Sequence, residues 1–334
     1  MKKLLSIWLL ISFFSFSGAS LSTLKEKTTD VINIIGKGTY TCLLCGYDDA
    51  ASNTDSIILA SYNSVDNAIS FLQIPRDTYF NFGGSQNKIN QIVPSKVSSG
   101  SSLGESLSFL TGSISEALSV NIDGYVGFSI SSVENLIDTL GGIDINVPFD
   151  VKGQDTEGNT VEIKSGQRHL SGKEAMVLIR HRSSYPLGDL SRIDMQKLFL
   201  SSAFSSFVSS MDLDLAVKLL TLRDDGIVFN ADLIELLTFA VKNLGRIKKA
   251  TAKFATLPGV ALANKRKLSY YCFNKNATQT ILDDLGFIRF GTIDPYAKFL
   301  NNDEELFTEA YYSNKIIYTV YSSEDLKNIK FIIH

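Results

Sequence analysis

Three runs, Tyr40–Cys45, Ile57–Tyr62 and Ala68–Ile74, are apolar at successive positions and are separated by polar breaks. Successive side chains of a strand point to opposite faces, so runs of this kind belong to strands in the middle of a sheet covered on both sides. Gly46-Tyr-Asp48-Asp49 ends the first run, Asn63-Ser-Val-Asp-Asn67 turns the second into the third, and Pro75 stops the third. If the three strands form a meander, the first ends, the second begins and the third ends on one rim. Asp48, Asp55 and Arg76 would then meet at that rim although the sequence sets them far apart.

The next elements follow from periodicity and capping. Leu103–Leu118 and Ser131–Leu140 are helix-like, and Gly141-Gly142 suits a left-handed C-terminal cap on the second. Ile143, Ile145 and Val147 alternate with Asp144 and Asn146, as in a strand with one solvated face. Asp150–Thr160 is polar and expected to be an exposed hairpin loop. Ser171-Gly-Lys-Glu174 is a capping box that opens a helix. Helical patterns at 191–210, 213–222 and 232–245 precede strands at Ala252–Leu257 and Lys267–Phe273, and Asn274 caps a helix through Leu285. Ile316–Tyr321 and Lys330–Ile333 look like strands of an appended element.

Between two of these helices lies Val177-Leu-Ile-Arg-His-Arg182, followed by Gly188-Asp-Leu-Ser-Arg192-Ile-Asp-Met-Gln196. Guanidinium groups held close together repel by roughly 1–4 kcal/mol per pair at effective dielectrics of 80 to 20. Phosphate relieves that repulsion, because the planar fork of Arg matches two of its oxygens. The alternative is a ladder of solvated Arg–Asp pairs, each contributing little. If the chain becomes extended at Ile179, Arg180 and Arg182 point one way and His181 the other, into packing. Arg192 and Gln196 share a helix face one turn apart, on a helix that Asp189 could cap.

Net charge −3, a pI near 5.7 and three His speak against a nucleic-acid binder. Residues 1–20 form a separate unit: Met1-Lys2-Lys3 is cationic, Leu4–Phe16 is almost wholly apolar, and Ser17-Gly-Ala-Ser20 suits cleavage. A secretory signal peptide is expected, with an uncleaved anchor as the alternative, and the remainder lies outside the cytoplasmic membrane. Cys42, Cys45 and Cys272 are an odd count. Cys42 and Cys45 sit three apart in a strand, on opposite faces, and no second pair completes a zinc site, so all three read as core residues.

Gly46-Tyr-Asp48, Thr54-Asp55-Ser56, Ile74-Pro-Arg76-Asp77-Thr78, Lys88-Ile-Asn90, Leu140-Gly-Gly-Ile-Asp144, Leu170-Ser-Gly172, Arg180-His-Arg182 through Gln196 and Thr256-Leu-Pro-Gly259 occur in an order that resembles the LytR-CpsA-Psr family. The likeness covers about 38–285, leaving 286–334 as a C-terminal extension. It implies an α/β fold with a mixed central β-sheet flanked by helices on both sides, and an apolar pocket for a polyprenyl tail. It also implies an extracytoplasmic phosphotransferase, secreted or held at the outer face of the bacterial membrane. Such an enzyme moves a glycopolymer (teichoic acid or capsule) from an undecaprenyl-pyrophosphate carrier onto peptidoglycan. By motif, Asp48 and Asp55 look like Mg²⁺ ligands, and Arg76, Arg180, Arg182 and Gln196 like pyrophosphate ligands, with Lys88 and Arg192 close by. Catalysis is assigned to Arg76, Arg180, Arg182 and Asp55. Asp77 is expected to orient an Arg. Asp48 or Asp55 is the first candidate for general base, Asp77 the next. Two departures weaken the anion field: Asp49-Ala50 stands where a basic residue is common, and Asp194-Met-Gln196 where the family often has Arg-Gln-Gln. The same residues would serve a polyprenyl-pyrophosphate hydrolase, or a non-catalytic binding and regulatory protein.

Overall fold

The computed structural model describes residues 39–48, 53–84, 87–181, 189–212, 215, 226–230, 243–293 and 305–329. The expected N-terminal signal or anchor, Asp49, Arg182, most of the helical patterns at 213–222 and 232–245, and the strand expected at 330–333 lie outside these residues.

The expected meander is present. Strands β1 (Thr39–Tyr47), β2 (Thr54–Asn63) and β3 (Ala68–Ile74) are antiparallel neighbours, with Cys45 opposite Ile57 and Ile57 opposite Ile74. Then follow β4 (Gly124–Ser129), β5 (Ile143–Val147), β6 (Val151–Gln154), β7 (Thr160–Ile163), β8 (Gly166–Leu170), β9 (Ile227–Phe229), β10 (Thr251–Thr256), β11 (Gly259–Ala263), β12 (Ser269–Phe273) and β13 (Val320–Ser322). Among the described residues seven strands form the main sheet, in the order β13-β10-β3-β2-β1-β4-β9. β4 runs parallel to β1 and β10 parallel to β3, while β9 and β13 are antiparallel edges, so the sheet is mixed.

Helices α1 (Ile92–Ser98), α2 (Leu103–Leu118), α3 (Ile130–Thr139), α4 (Gly172–Arg180), α5 (Asp189–Ser210), α6 (Leu244–Ile247), α7 (Lys275–Asp284), α8 (Glu305–Tyr312) and α9 (Ser323–Lys327) complete the described elements. They lie on both sides of the sheet because the strands are apolar on both faces. Leu43, Cys45, Ile57, Leu59 and Leu72 face one core, with Leu107, Leu110 and Ile114 of α2 and Ile281 of α7. Ile58, Ile69, Phe71 and Phe254 face the other, with Val177 of α4 and Met195 and Leu198 of α5. Each fully buried Leu contributes on the order of 1.5–3 kcal/mol.

Local chemistry sets the helix ends. Ser171 and Glu174 form the expected capping box at α4, and Ser102 with Glu105 forms another at α2. Asn274 caps α7 by accepting from the Ala277 amide at 2.9 Å. The Leu140-Gly-Gly-Ile-Asp144 piece is explained by a clamp. His169 donates through Nδ1 to Asp144 Oδ1 at 2.7 Å and through Nε2 to the Gly141 carbonyl at 2.8 Å. These acceptors raise its pKa. Gly142 has φ +92, and a Cβ there would stand 2.5 Å from His169 Nε2, so neither the backbone nor the space admits a side chain.

Three expectations need correction. α4 continues through Ile179 and Arg180, and the chain becomes extended only at His181 (φ −58, ψ 137). The helical hydrogen bonds close through the His181 amide, which donates to Val177 and Leu178 carbonyls, so the helix outlasts the apolar pattern. β12 begins at Ser269, because Lys267 takes a positive φ in the turn that Asn264 closes. Of Ile316–Tyr321 only the last two residues are in a strand, and that strand, β13, is an edge of the main sheet.

The cysteines are core residues as expected: Cys42, Cys45 and Cys272 are all buried and free. Burial pushes the thiols of Cys42 and Cys272 up to about 12, and Cys45 higher still. Iodoacetamide at pH 8 should therefore leave the folded chain unlabelled and alkylate it only in denaturant. Rapid labelling under native conditions would show that the sheet opens.

Candidate active site

The rim where β1 and β3 end is built by the motif pieces acting on one another. Pro75 terminates β3, and Thr78 closes the turn by donating both its amide (2.9 Å) and its hydroxyl (2.6 Å) to the Pro75 carbonyl. The Asn90 amide donates to the Arg76 carbonyl at 3.2 Å and the Ile89 amide to that of Thr78 at 2.9 Å, so Lys88-Ile-Asn90 holds the turn from one side. β12 holds it from the other: the Tyr271 amide donates to the Asp77 carbonyl and the Tyr79 amide to that of Tyr271, both at 2.9 Å. Arg76 is thus fixed at its backbone, with its side chain left for the rim.

Asp55 meets it there. The register between β1 and β2 shifts, with Gly46 opposite Ser56 and Tyr47 opposite Thr54, so Asp55 is the extra residue of a β-bulge. Bulges re-aim a side chain. The carboxylate accepts from Arg76 Nη1 at 2.6 Å. Asp48 lies across the same turn, its amide donating to the Asn53 carbonyl at 3.2 Å. The structure thus brings Asp55 and Arg76 together at the rim, with Asp48 just past the end of β1.

α5 brings the other half. Its Arg192 is buried, and Arg192 and Gln196 face the rim one turn apart. Together with Asp55, Arg76 and Asp77 they line a cleft of about 170 Å³, whose opposite wall is the β11–β12 hairpin through Ala261, Ser269 and Tyr270. Gln73 of β3, buried beside Arg76, donates its amide to Gln196 Oε1. Sequence reasoning passed over this residue, although a Gln inside an apolar strand signals a buried amide that needs a partner. It also passed over the hairpin wall.

The remaining candidates are placed as follows. Asp77 orients a lysine and not an arginine: Lys88 Nζ donates to its Oδ1 at 3.0 Å and lies 5.5 Å from the centre of the Tyr270 ring. The correction has a simple cause. The backbone turn sets Asp77 beside the segment that carries Lys88, which bridges to Tyr79. Arg180 ends α4 and is exposed, and Arg182 lies outside the described residues. His181 packs against Phe149 with ring centres 6.1 Å apart, and burial lowers its pKa, in keeping with a packing role. α5 begins at Asp189, whose side chain is not among those described. Asp194 is engaged away from the cleft: its Oδ1 accepts from Lys197 Nζ at 2.8 Å, which offsets the acid the family pattern lacks.

The donor set bears on magnesium. Among the described residues no three His, Cys, Asp or Glu side chains gather into a cage. Two carboxylates at one rim are nevertheless the protein share that Mg²⁺ takes when phosphate oxygens complete its shell.

A family model described as LytR_cpsA_psr family matches residues 10–285. The chain belongs to the LytR-CpsA-Psr family. Among LytR-CpsA-Psr proteins it is similar to the polyisoprenyl-teichoic acid–peptidoglycan teichoic acid transferase TagV of Bacillus subtilis, 27% identical over 209 residues, covering 60% of this chain and 51% of that protein. It is likewise similar to the transferase TagU of Oceanobacillus iheyensis, 29% identical over 225 residues, or 66% and 65% of the two chains. The matches thus span about half to two-thirds of these relatives' length. The crystal structure of B. subtilis TagV superposes with a TM-score of 0.61 at 23% identity, over 75% of this chain and 96% of that one, which establishes the LytR-CpsA-Psr fold.

Proposed function

We propose that the chain is an extracytoplasmic phosphotransferase that moves a glycopolymer from a polyprenyl-pyrophosphate carrier to a peptidoglycan hydroxyl. The observation that carries this reading is the cleft that Arg76, from a strand end, and Arg192, from a helix, line together with Asp55 and Gln196. Two fixed guanidinium groups and an amide donor suit the non-bridging oxygens of a pyrophosphate. The names of the relatives, transferases of teichoic acid to peptidoglycan, support the same chemistry. Further along α5, half-buried Phe199, Phe204 and Phe207 pack against the second core of the sheet, an apolar strip suited to a polyprenyl tail.

In the reaction the acceptor hydroxyl oxygen forms a bond to the phosphorus next to the sugar. The bond from that phosphorus to the bridging oxygen breaks, and polyprenyl phosphate leaves with the electron pair. Arg76 and Arg192 meet the charge on the phosphoryl oxygens and on the leaving group. Lys88, paired with the cleft residue Asp77, adds to this field, and the family resemblance gives Arg180 and Arg182 the same role. The hydroxyl proton passes to a rim carboxylate, Asp48 or Asp55. Mg²⁺ held by Asp48 and Asp55 would supply further neutralisation of the pyrophosphate. The site of action is the outer face of the membrane, where carrier and peptidoglycan meet. Among the described residues no helix is long and apolar enough to span a bilayer.

The test is turnover of a polyprenyl-pyrophosphate-linked saccharide by the purified chain, with and without Mg²⁺ and a peptidoglycan acceptor. Acceptor-dependent and Mg²⁺-dependent release of polyprenyl phosphate, lost in Asp55→Ala, is expected. Release without acceptor would instead identify a hydrolase, and binding without release a receptor.

A further inference from the structure

α5 is gripped on the side away from the cleft by a segment that follows the residues matched by the family model. Lys197, the residue after Gln196, is 5% exposed. A buried ammonium is costly unless it is paired. Its Nζ is paired with Asp194 on one side and lies 4.6 Å from the centre of the Tyr321 ring on the other. An ammonium over an aromatic face is attracted by the ring's negative quadrupole, the more so when water is excluded. Tyr321 is the middle residue of β13, a three-residue edge strand opposite Phe254 of β10. A strand this short is not stable on its own pairing. The element following it supplies the rest. Ser322 and Asp325 form a capping box that starts α9, and Leu326 of α9 is fully buried in the same core as Met195 and Leu198 of α5. At the far end the Lys327 carbonyl accepts from Asn146 of β5 at 3.4 Å.

We infer that residues 320–327 are a buttress for α5, and that Tyr321, through Lys197, is a positioning residue for Arg192 and Gln196. The helix meets the cleft with one face and the buttress with another. Rotation or sliding of α5 would carry Arg192 and Gln196 off the pyrophosphate oxygens. The ring of Tyr321 opposes this movement by holding an ammonium one residue from Gln196 in sequence. The part of the inference that concerns turnover rests on the function proposed above.

The test compares Tyr321→Leu, Tyr321→Phe and Lys197→Met in the full chain. KM and kcat for a polyprenyl-pyrophosphate-linked saccharide are measured beside hydrogen exchange of the α5 amides without substrate. Tyr321→Leu should raise KM and lower kcat/KM by roughly tenfold to a hundredfold, the usual cost of displacing a positioned group. Its α5 amides should exchange faster. Tyr321→Phe, which keeps the aromatic face, should stay within about twofold of the parent chain. Lys197→Met keeps the buried stem and removes the ammonium; it should share the kinetic defect, and it decides the matter if Tyr321→Leu does not fold. A merely structural role would lower the folded fraction while leaving KM unchanged. Unchanged KM and α5 exchange in folded Tyr321→Leu or Lys197→Met would overturn the inference, as would a Phe variant as impaired as the Leu variant. If the parent chain turns over no such saccharide, the proposed function fails, and the exchange measurement still decides whether β13 holds α5.

Discussion

Arg76→Ala is expected to lower kcat/KM for a polyprenyl-pyrophosphate-linked saccharide by about 10²–10³-fold, the range seen when one donor to a developing negative charge is removed. The fold should hardly notice. The Arg76–Asp55 pair is partly exposed, with the two side chains 18% and 46% accessible, and a pair of this kind contributes at most about 1 kcal/mol to stability. The backbone of the turn does not depend on it, since Thr78, Asn90 and Tyr271 hold that turn through main-chain bonds. Arg76→Lys should recover little activity, because an ammonium offers a point charge where the guanidinium offers a fork. The check is steady-state kinetics of the Ala and Lys variants beside their thermal unfolding. Loss of activity in proportion to loss of folded protein would instead make Arg76 a structural ion-pair partner of Asp55.

What the sequence discloses about this site, and what it withholds, divides along one physical line. Contacts set by the strand period or by a turn are legible. Three runs apolar on both faces require a covered meander, and the meander alone brings Asp48, Asp55 and Arg76 to one rim. Ser171-Gly-Lys-Glu174 and Asn274 mark helix starts because the capping bonds are local. Contacts made by tertiary closure are not legible in this way. The bulge that aims Asp55 appears only when β1 and β2 are laid side by side. The sequence suggests an arginine partner for Asp77, which instead finds Lys88 because the chain after Thr78 doubles back along the same turn. Gln73 and Gln196 are far apart in sequence, and nothing in either neighbourhood names the other. The sequence around β13 reads as an appendage because its pairing to β10 joins distant segments, yet it is an edge of the main sheet. Asp194 read as a loss of positive field; its bond to Lys197 directs that charge elsewhere.

Gly172→Ala is expected to harm the fold markedly, and it concerns a motif piece with no chemistry of its own. At the first position of α4 a Cβ would lie 2.2 Å from the Glu134 carbonyl oxygen and 2.7 and 2.8 Å from the carbon atoms beside it. These are backbone atoms of α3, so no rotamer change can make room. The Gly172 amide also donates to Asp138 Oδ1 of α3 at 2.7 Å, which fixes the approach of the two helices. One effect favours alanine: by restricting the unfolded chain it gains helix propensity of up to about 1 kcal/mol. The clash should exceed that gain, since forcing volume into a packed contact costs about 1–3 kcal/mol even where neighbours can yield. A fall in Tm of several degrees is expected, at about 2–4 °C per kcal/mol for a domain of this general size. Gly112→Ala is the matched control. It lies within α2 with nothing within 4 Å of a Cβ, so the propensity gain stands alone and the Tm should rise slightly. Thermal unfolding of the two variants separates the explanations. Equal shifts would mean that α3 can move aside, and that the glycine of Leu170-Ser-Gly172 is not required by the backbone contact. Opposite shifts would tie that piece of the family pattern to the closeness of α3 and α4, and through the end of α4 to where the chain delivers Arg180.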